Sequence, residues 1–231
     1  MKFAVIAAGE GSRLMQEGCT VPKPLVRLDG EPMIGRLLRI MHGCGRCDGI
    51  AVIVNPANTA TLEYLESVRS GFGLEIVTKA TPSSMHSMYE LSPLLRGGRF
   101  CATTVDTVFR EDEFRTYIDA FGSGDAECLM GVTAYIDDEK PLYVGVDDNM
   151  RITGFHDTRS GCSLVSAGIY GLCDRALDVL ERCVQSGQSR MRAFQRQLVA
   201  EGLDVRAWKL GKVVDVDHIA DIAGAERIIK S

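Results

Sequence analysis

Short, continuously apolar segments alternate with amphipathic segments along the first two-thirds of this chain. Phe3-Ala-Val-Ile-Ala-Ala8 and Gly49-Ile-Ala-Val-Ile-Val54 lack polar side chains, which is typical of strands buried on both faces of a sheet. The segments 34–44 and 59–69 carry apolar residues at helical spacing. This alternation predicts an α/β fold with a mainly parallel mixed sheet flanked by helices.

The rest of the chain continues this pattern with one interruption. Tyr143-Val-Gly-Val146 and Ile152-Thr-Gly-Phe155 flank a turn signal and predict a β-hairpin, inserted over a cleft as part of a second lobe. Further strands are predicted at 74–77, 99–105, 127–135, 165–171, 205–209 (an edge strand) and 213–216, and further helices at 85–95, 111–120, 174–185, 191–201 and 219–229. No repeat, linker or low-complexity tract divides the chain, so residues 1–231 are predicted to form one Rossmann-like domain.

Composition argues against several classes of function. The formal net charge is −5, with acidic and basic residues mixed, so the chain lacks the basic stripe of a nucleic-acid-binding protein. No apolar run approaches a membrane span, and the six apolar residues before Gly9 are too few for the core of a secretory signal. Eight cysteines without such a signal predict reduced thiols and a cytoplasmic location. Cys44-Gly-Arg-Cys47 lacks two further metal ligands at suitable spacing, and we interpret it as a loop with two small apolar thiols.

The loop after the first predicted strand is the first candidate binding site. Ligands of open parallel sheets bind at the carboxyl ends of the strands, and this loop leaves one such end. Gly9 and Gly11 allow the backbone to approach a ligand closely, and successive N–H groups there can form an anion-binding nest. Arg13 and Lys23 add two cations. The loop is therefore predicted to bind a polyphosphate.

Three kinds of phosphate-binding loop compete for this segment. A Walker A loop requires GxxxxGK[ST], which is absent. A dinucleotide-binding loop requires GxGxxG, but the third glycine position is Leu14 and no helix is predicted directly after Gly11. Asp29 lies near the spacing of the ribose-binding acid of such loops, which alone is a weak signal. The third kind is a nucleotidyltransferase loop, in which a strand is followed by A-A-G-x-G-x-R and then by P-K-P-L.

The motifs of the third kind extend over residues 7–33. Ala7-Ala-Gly-Glu-Gly-Ser-Arg-Leu14, Val21-Pro-Lys-Pro-Leu25 and Gly30-Glu-Pro-Met33 together resemble the sugar-1-phosphate nucleotidyltransferases, which are NDP-sugar pyrophosphorylases and relatives that load phosphocholine or inositol phosphate. The resemblance implies that an NTP reacts with a phosphomonoester acceptor, either a sugar-1-phosphate or a phosphocholine-like molecule, and that pyrophosphate leaves. It implies nucleotide binding by Ala7, Ala8, Gly9, Glu10, Gly11, Ser12, Arg13 and Lys23, with Arg13 and Lys23 catalytic.

The predicted chemistry calls for a metal ion. Transfer between two anionic groups requires that their repulsion be neutralised, and a divalent cation does this by bridging phosphate oxygens. Mg²⁺ is typically held by one or two carboxylates together with substrate phosphates. Asp106 follows a predicted strand, and the resemblance implies that it binds the metal and the nucleotide, although Val105 replaces the family's usual glycine.

The segment Val213-Val-Asp-Val-Asp-His-Ile-Ala-Asp221 resembles the C-terminal motif of the same family. Asp217 occupies the position of the family's other metal-binding aspartate. Asp215 is the reserve, because alternate residues of a strand face opposite sides. Asp221 is predicted to cap or support the final helix. His218 replaces the usual threonine, and we interpret it as structural.

Small hydroxyl side chains precede the predicted helix at 85–95. Thr81-Pro-Ser-Ser-Met-His-Ser-Met88 resembles the short bacterial branch of the family that uses CTP, which favours a cytidylyltransferase. Ser84 and Ser87 are candidates for nucleotide binding, and Ser87 is favoured. Plain N-capping by Ser83 or Ser84 would require the same pattern.

The acceptor side lacks the family's usual sugar-reading motif. Gly154-Phe-His-Asp157 stands where sugar-specific relatives carry Glu-Lys-Pro, and Glu139-Lys-Pro141 precedes the hairpin and is interpreted as a turn. Ala167-Gly-Ile-Tyr170 resembles the family strand that lines the acceptor pocket. Arg190 and Arg192 are candidates for contact with a phosphate.

Two other functions stay open at this point. A family member can keep the loop, lose the metal site and act as a nucleotide-binding regulatory protein, and the changes at Val105 and His218 are compatible with that. An NAD-dependent oxidoreductase would use the loop as a dinucleotide site, against which the missing third glycine counts. The predicted partners are small molecules, with no nucleic acid or membrane, and a homodimer is considered.

Overall fold

The structure is a computed structural model that describes residues 1–136 and 139–230. Its strands are β1 (Lys2–Ala7), β2 (Arg27–Leu28), β3 (Glu31–Pro32), β4 (Gly49–Val54), β5 (Leu74–Thr78), β6 (Phe100–Thr104), β7 (Thr107–Val108), β8 (Cys128–Thr133), β9 (Tyr143–Val146), β10 (Ile152–His156), β11 (Leu164–Leu172), β12 (Val205–Leu210) and β13 (Val214–Asp215). Its helices are α1 (Ser12–Gln16), α2 (Met33–Gly43), α3 (Thr59–Phe72), α4 (Ser84–Leu95), α5 (Glu111–Ser123), α6 (Asp174–Gln185), α7 (Met191–Ala200) and α8 (Ile219–Lys230), and Lys23–Leu25 form a short 3-10 helix. None of these helices combines the length and the apolar character that a bilayer-spanning helix requires.

Nine strands form one mixed sheet. Its main order is β10-β9-β11-β6-β1-β4-β5, and β8 and β12 continue from the other edge of β11. The strands β1, β4, β5, β6, β8, β9 and β12 run in one direction, and β10 and β11 run against them. The sheet is therefore mainly parallel, as the sequence predicts.

The predicted hairpin is formed by β9 and β10, which pair antiparallel. Strand β9 also pairs with the first residues of β11, so the hairpin extends the main sheet and is not a separate lobe. Strand β12 lies at an edge, as predicted, with its ladder to β8 and one isolated bridge between Arg206 and Arg151.

Side chains of the central strands alternate between two hydrophobic clusters on opposite faces of the sheet. On β1, Phe3 and Val5 pack in one cluster with residues of α2 and α5, whereas Ala4 and Ile6 pack in the other with residues of α4 and α6. Burial on both faces explains why the sequence of such a strand is continuously apolar.

One edge of the sheet collects the predicted binding segments. Strands β1 and β6 are parallel neighbours, so their carboxyl ends lie side by side. The polar loop leaves β1 at this edge, and Asp106 follows β6 there. The C-terminal segment returns to the same edge, because β13 pairs with β7 and α8 packs on a third cluster that contains Leu14 and Leu28.

The loop after β1 differs from its prediction. The sequence predicts no helix directly after Gly11, but α1 begins at Ser12. Leu14 is the one buried residue of this five-residue helix, so the sequence carries no apolar period that could reveal it. The third position of the GxGxxG pattern is thus inside a helix, but it is filled by a buried leucine.

Candidate active site

The loop after β1 lines a cavity of about 440 Å³ with Gly9, Gly11, Ser12, Arg13 and Lys23. Gly11 has a φ of 64°, in the left-handed region that favours glycine. A Cβ atom at Gly11 would also lie 2.8 Å from the Cβ atom of Lys23. Glycine is required here because the backbone turn and the close passage of Lys23 both exclude a side chain.

The other predicted residues of the loop lie around this cavity without lining it. Ala7 and Ala8 are buried at the end of β1, where they can offer backbone groups alone to a ligand. Glu10 is exposed.

Lys23 joins the two predicted metal-binding acids. Its Nζ atom donates to Oδ1 of Asp217 at 2.7 Å and also contacts Oδ2 of Asp106. Arg13 donates to the other carboxylate oxygen of Asp217, also at 2.7 Å. The Lys23 side chain is 11% exposed, so its ion pairs lie inside the cleft. The structure thus brings four of the predicted site residues into direct contact.

Mutual attraction keeps Lys23 and Asp217 charged. Burial alone would lower the pKa of Lys23, but the charge and hydrogen bonds of Asp106 and Asp217 outweigh it and raise that pKa. Burial likewise acts to raise the pKa of Asp217, and the hydrogen bond and charge of Lys23 lower it overall. Lys23 is therefore a cation and Asp217 an anion before any ligand binds.

Asp215 is the third acid of the cleft. Its Oδ1 atom accepts a hydrogen bond from Oγ1 of Thr107 at 3.0 Å. Protein atoms crowd this carboxyl, although its side chain stays open to the cleft. Burial, together with the negative charges of Asp106 and Asp217, raises the pKa of Asp215 to about 7. Since β13 ends at Asp215, strand alternation does not separate Asp215 from Asp217, and both line the cleft.

Backbone pairing brings the C-terminal acids to Asp106. The pairing of β13 with β7 sets Asp215 opposite Thr107. The N–H group of Val216 then donates to the carbonyl oxygen of Asp106 at 3.1 Å. Three acids from two distant parts of the chain therefore share one end of the cleft.

The backbone around Asp217 is held from two sides. Asp221 accepts hydrogen bonds from the N–H groups of Asp217 and His218 at 3.0 and 2.7 Å, which confirms that Asp221 supports the final helix. Glu17, directly after α1, accepts from the N–H group of Ile219 at 2.8 Å and contacts Nδ1 of His218. The segment that carries Asp217 is thereby tied both to its own helix and to the loop after β1.

The acids fit a metal ion that arrives with a nucleotide. Asp106 and Asp217 contact the same ammonium group, so one cation can reach both. Within residues 1–136 and 139–230, no group of three or more His, Cys, Asp or Glu side chains is arranged to hold a metal. Mg²⁺ nevertheless needs only one or two protein carboxylates when phosphate oxygens and water molecules complete its coordination shell.

The start of α4 faces the same cavity. Ser83 caps this helix, since its Oγ atom accepts from the N–H group of His86 at 3.4 Å, and Ser84 lines the cavity. Ser87 is 2% exposed, and its Oγ atom lies 2.6 Å from Oγ1 of Thr81 in a hydrogen bond. The structure thus brings Ser84 to the cavity surface and leaves Ser87 behind it.

A second cavity, of about 370 Å³, opens beside Asp106 and Asp215. Hydroxyl, amide and cationic side chains form most of its remaining lining: Ser83, Ser84, Thr104, Lys140, Ser166, Tyr170, Ser189, Arg190, Arg192 and Gln195. Tyr170, from the segment 167–170 that resembles the family's acceptor strand, thus lines this cavity. Residues 139–140 form a bend before β9.

The two predicted arginines of this cavity differ in their contacts. Arg192 donates to Asp157 at 2.6 Å and to the carbonyl oxygen of Lys140 at 3.1 Å. Asp157, which stands in the place of the missing sugar-reading motif, also pairs with Arg196 at 2.8 Å. The side chain of Arg190 has no hydrogen bond or ion pair with any residue that the structure describes, although its carbonyl oxygen accepts from the N–H group of Ala193 at 2.9 Å in α7. Its guanidinium is therefore available to a ligand.

Thr107 and Glu17 are parts of the site that the sequence patterns did not predict. Thr107 contacts an acid 108 positions away, and Glu17 contacts residues 201 and 202 positions away. No local spacing can reveal such pairs. A threonine directly after the metal-binding candidate Asp106 is the one signal that was available.

Comparison with known proteins gives one family match and several similar proteins. Residues 3–201 match the family described as the MobA-like NTP transferase domain. A curated relative, the 2-C-methyl-D-erythritol 4-phosphate cytidylyltransferase of Geobacillus thermodenitrificans, is 32% identical over 94 residues, which are 41% of this chain and 40% of that protein. The chain thus matches less than half the length of this relative.

Two solved structures share the fold over the whole chain. The inositol-1-phosphate CTP transferase of T. maritima superposes with a TM-score of 0.82 and 19% identity, covering 100% of this chain and 96% of that one. A Bacillus anthracis protein that is named as a glucose-1-phosphate thymidylyltransferase, solved in complex with sucrose, gives a TM-score of 0.84 and 15% identity, with the same coverage. These likenesses confirm the predicted fold class.

Proposed function

The chain belongs to the MobA-like NTP transferase domain family, and on that basis we propose that it is a nucleotidyltransferase that joins an NTP to a phosphomonoester acceptor and releases pyrophosphate. CTP is the favoured nucleotide. Two of the similar proteins are, by name, a cytidylyltransferase and a CTP transferase, and the segment 81–88 resembles that branch. Residues 1–231 act as one domain in this proposal.

The nucleotide occupies the cavity beneath the loop after β1. Backbone N–H groups of residues 7–12 and the guanidinium of Arg13 bind its phosphates, because cations and free N–H groups at a sheet edge attract anions. Lys23 neutralises the charge that develops at the α-phosphate. Ser84 faces the nucleotide directly, and Ser87 supports this wall of the cavity through its bond to Thr81.

Asp106 and Asp217 hold Mg²⁺, with Asp215 in reserve. When bound, the ion would offset the repulsion between the acceptor and the α-phosphate. Lys23 and Arg13 already contact Asp217, so both cations are within reach of phosphates that share the metal. No covalent enzyme intermediate is required, since positioning and charge neutralisation suffice.

The acceptor occupies the second cavity. Arg190 binds its phosphate, because this cation lines the cavity together with Asp106 and Asp215 and its guanidinium has no partner within residues 1–136 and 139–230. The hydroxyl-bearing and amide side chains of the lining suit either a sugar or a small polar headgroup. A sugar-1-phosphate and a phosphocholine-like molecule are both candidate acceptors.

One observation carries the proposal: Lys23, from the P-K-P motif, contacts both Asp106 and Asp217 inside a cavity that the glycine loop lines. The decisive experiment is a matrix of the four NTPs against sugar-1-phosphates, phosphocholine and related phosphomonoesters, with Mg²⁺ present and pyrophosphate release as the readout. Lys23→Ala and Asp217→Ala should abolish turnover in proteins that remain folded. Lys79→Ala, at an exposed lysine that pairs with Glu90, is the matched control and should keep it.

Each other result of this experiment supports a different conclusion. Normal pyrophosphate release from Lys23→Ala or Asp217→Ala would exclude the proposed site. CTP binding without pyrophosphate release from any pair would favour a regulatory homologue, and preference for NADH over CTP would favour an oxidoreductase. The cytoplasmic location, the homodimer and the absence of a nucleic-acid partner stay predictions.

A further inference from the structure

One carboxylate ties the loop after β1 to the segment that carries Asp217. Oε2 of Glu17 accepts a hydrogen bond from the N–H group of Ile219 at 2.8 Å, and Oε1 of Glu17 contacts Nδ1 of His218. Ile219 is the first residue of α8. The first N–H groups of a helix have no partner within the helix and attract negative charge, so Glu17 stabilises the start of α8 from outside it.

Arg13 makes a second contact between the same two segments. It lies four positions before Glu17, and the N–H group of Glu17 donates to the carbonyl oxygen of Arg13 at 3.1 Å. Arg13 donates to the carboxylate of Asp217, and Glu17 accepts from the N–H group of Ile219, two residues after Asp217. Helix α1 and the residue directly after it therefore contact the C-terminal segment with one cation, Arg13, and one anion, Glu17.

These two contacts differ in what a bound triphosphate would do to them. Arg13 lines the nucleotide cavity, so phosphates would compete with Asp217 for its guanidinium. Glu17 lines neither the nucleotide cavity nor the acceptor cavity. Its contacts with His218 and Ile219 are thus not exposed to the same competition.

We infer that Glu17 is a positioning residue that keeps Asp217 in place for the metal while Arg13 engages the phosphates. The inference rests on the proposed function. It concerns the segment after residue 201, which lies outside the residues that match the family. Glu17 would therefore connect the nucleotide loop to the Asp217 segment, which lies beyond the matched residues but resembles a C-terminal motif of the sugar-1-phosphate nucleotidyltransferases.

Three variants separate this role from general support of α8. Glu17→Ala removes both contacts, whereas Glu17→Gln keeps an oxygen that can accept from Ile219. Glu226→Ala is the matched control, because Oε1 of Glu226 accepts from the N–H group of Asp29 at 2.9 Å and so joins α8 to the N-terminal part of the chain away from Asp217. The two readouts are hydrogen–deuterium exchange of residues 214–222 and the Mg²⁺ concentration for half-maximal pyrophosphate release at saturating NTP.

Glu17→Ala should speed exchange in 214–222 and raise the Mg²⁺ requirement, each by about five-fold, the effect of losing one helix-cap interaction. The KM for the NTP should change less than the Mg²⁺ requirement. Glu17→Gln should show only a small part of both effects, because it keeps an acceptor oxygen, and Glu226→Ala should show neither. Unchanged exchange and Mg²⁺ requirement in Glu17→Ala, or equal effects in Glu226→Ala, would overturn the inference. If no NTP yields pyrophosphate, the proposed function fails, and the exchange experiment still decides whether Glu17 holds this segment.

Discussion

The Nζ atom of Lys23 lies 2.7 Å from Oδ1 of Asp217 and also contacts Asp106, so an ammonium group occupies the space between the two acids proposed to hold the metal. A divalent cation and Lys23 are attracted by the same carboxylates and must compete for them. A nucleotide shifts this balance because its phosphates offer Lys23 another partner.

Replacing Lys23 with methionine should therefore strengthen Mn²⁺ binding to the nucleotide-free protein by about tenfold or more, since a competing charge is removed. A Mn²⁺ titration followed by electron paramagnetic resonance measures this affinity. Lys79→Met should bind Mn²⁺ like the unmodified protein, because the ammonium group of Lys79 pairs with Glu90 and not with Asp106 or Asp217. Equal affinity in the Lys23→Met variant and the unmodified protein would show that Lys23 does not block the acids.

Gly11→Ala should lower the free energy of unfolding by about 1–2 kcal/mol, because a residue with a Cβ atom is strained at positive φ. The new methyl group would also press on Lys23, whose Cβ atom is 2.8 Å from the added position. Urea denaturation measures the change. Gly9→Ala is the control, since nothing lies within 4 Å of a Cβ atom there. Equal stability losses at the two positions would contradict this explanation.

Arg190→Ala should raise the KM for the acceptor by about ten- to a hundredfold, the range expected for a lost hydrogen bond to a charged group. The KM for the NTP should stay close to its original value. Steady-state pyrophosphate release with each substrate varied in turn separates the two constants. Arg192→Ala offers a comparison in the same cavity, and its effect should be smaller because Arg192 is engaged by Asp157. The reverse ranking would assign the acceptor phosphate to Arg192.

Cys173 should be the most reactive thiol at mildly acidic pH. A hydrogen bond from Cys128, aided by N–H groups of Ala176 and Arg175, lowers the pKa of Cys173 to about 6. Because the thiolate is the reactive form, alkylation by iodoacetamide should increase through about pH 6 and level off near neutrality. Mass spectrometry of labelled peptides can follow it. Cys47, whose pKa is raised by burial, should need a higher pH. A Cys173 rate that still climbs above about pH 8 would refute the assignment.

The nine strands of the main sheet and most helices follow from local sequence, whereas the two-residue strands β2, β3 and β7 were not predicted. The continuous apolar runs at 3–8 and 49–54 predict buried strands because a strand covered on both faces has no polar side. Helix α1 was not predicted because it has five residues and buries only Leu14, so its sequence shows no apolar periodicity. The hairpin was recognised from its turn, but its attachment to β11 depends on a pairing that no local pattern encodes.

The sequence by itself determined the family resemblance of the loop after β1, since the spacing of Gly9, Gly11, Arg13 and Lys23 excludes a Walker loop and matches a nucleotidyltransferase loop. It also identified Asp106 and Asp217 as candidate metal ligands. Tertiary structure alone decided that Lys23 bridges these acids, that Asp215 reaches the same cleft, and that Glu17 holds the start of α8. The reason is physical: contacts between residues 83 to 202 positions apart arise from strand pairing and packing of the whole chain, which short-range spacing does not contain.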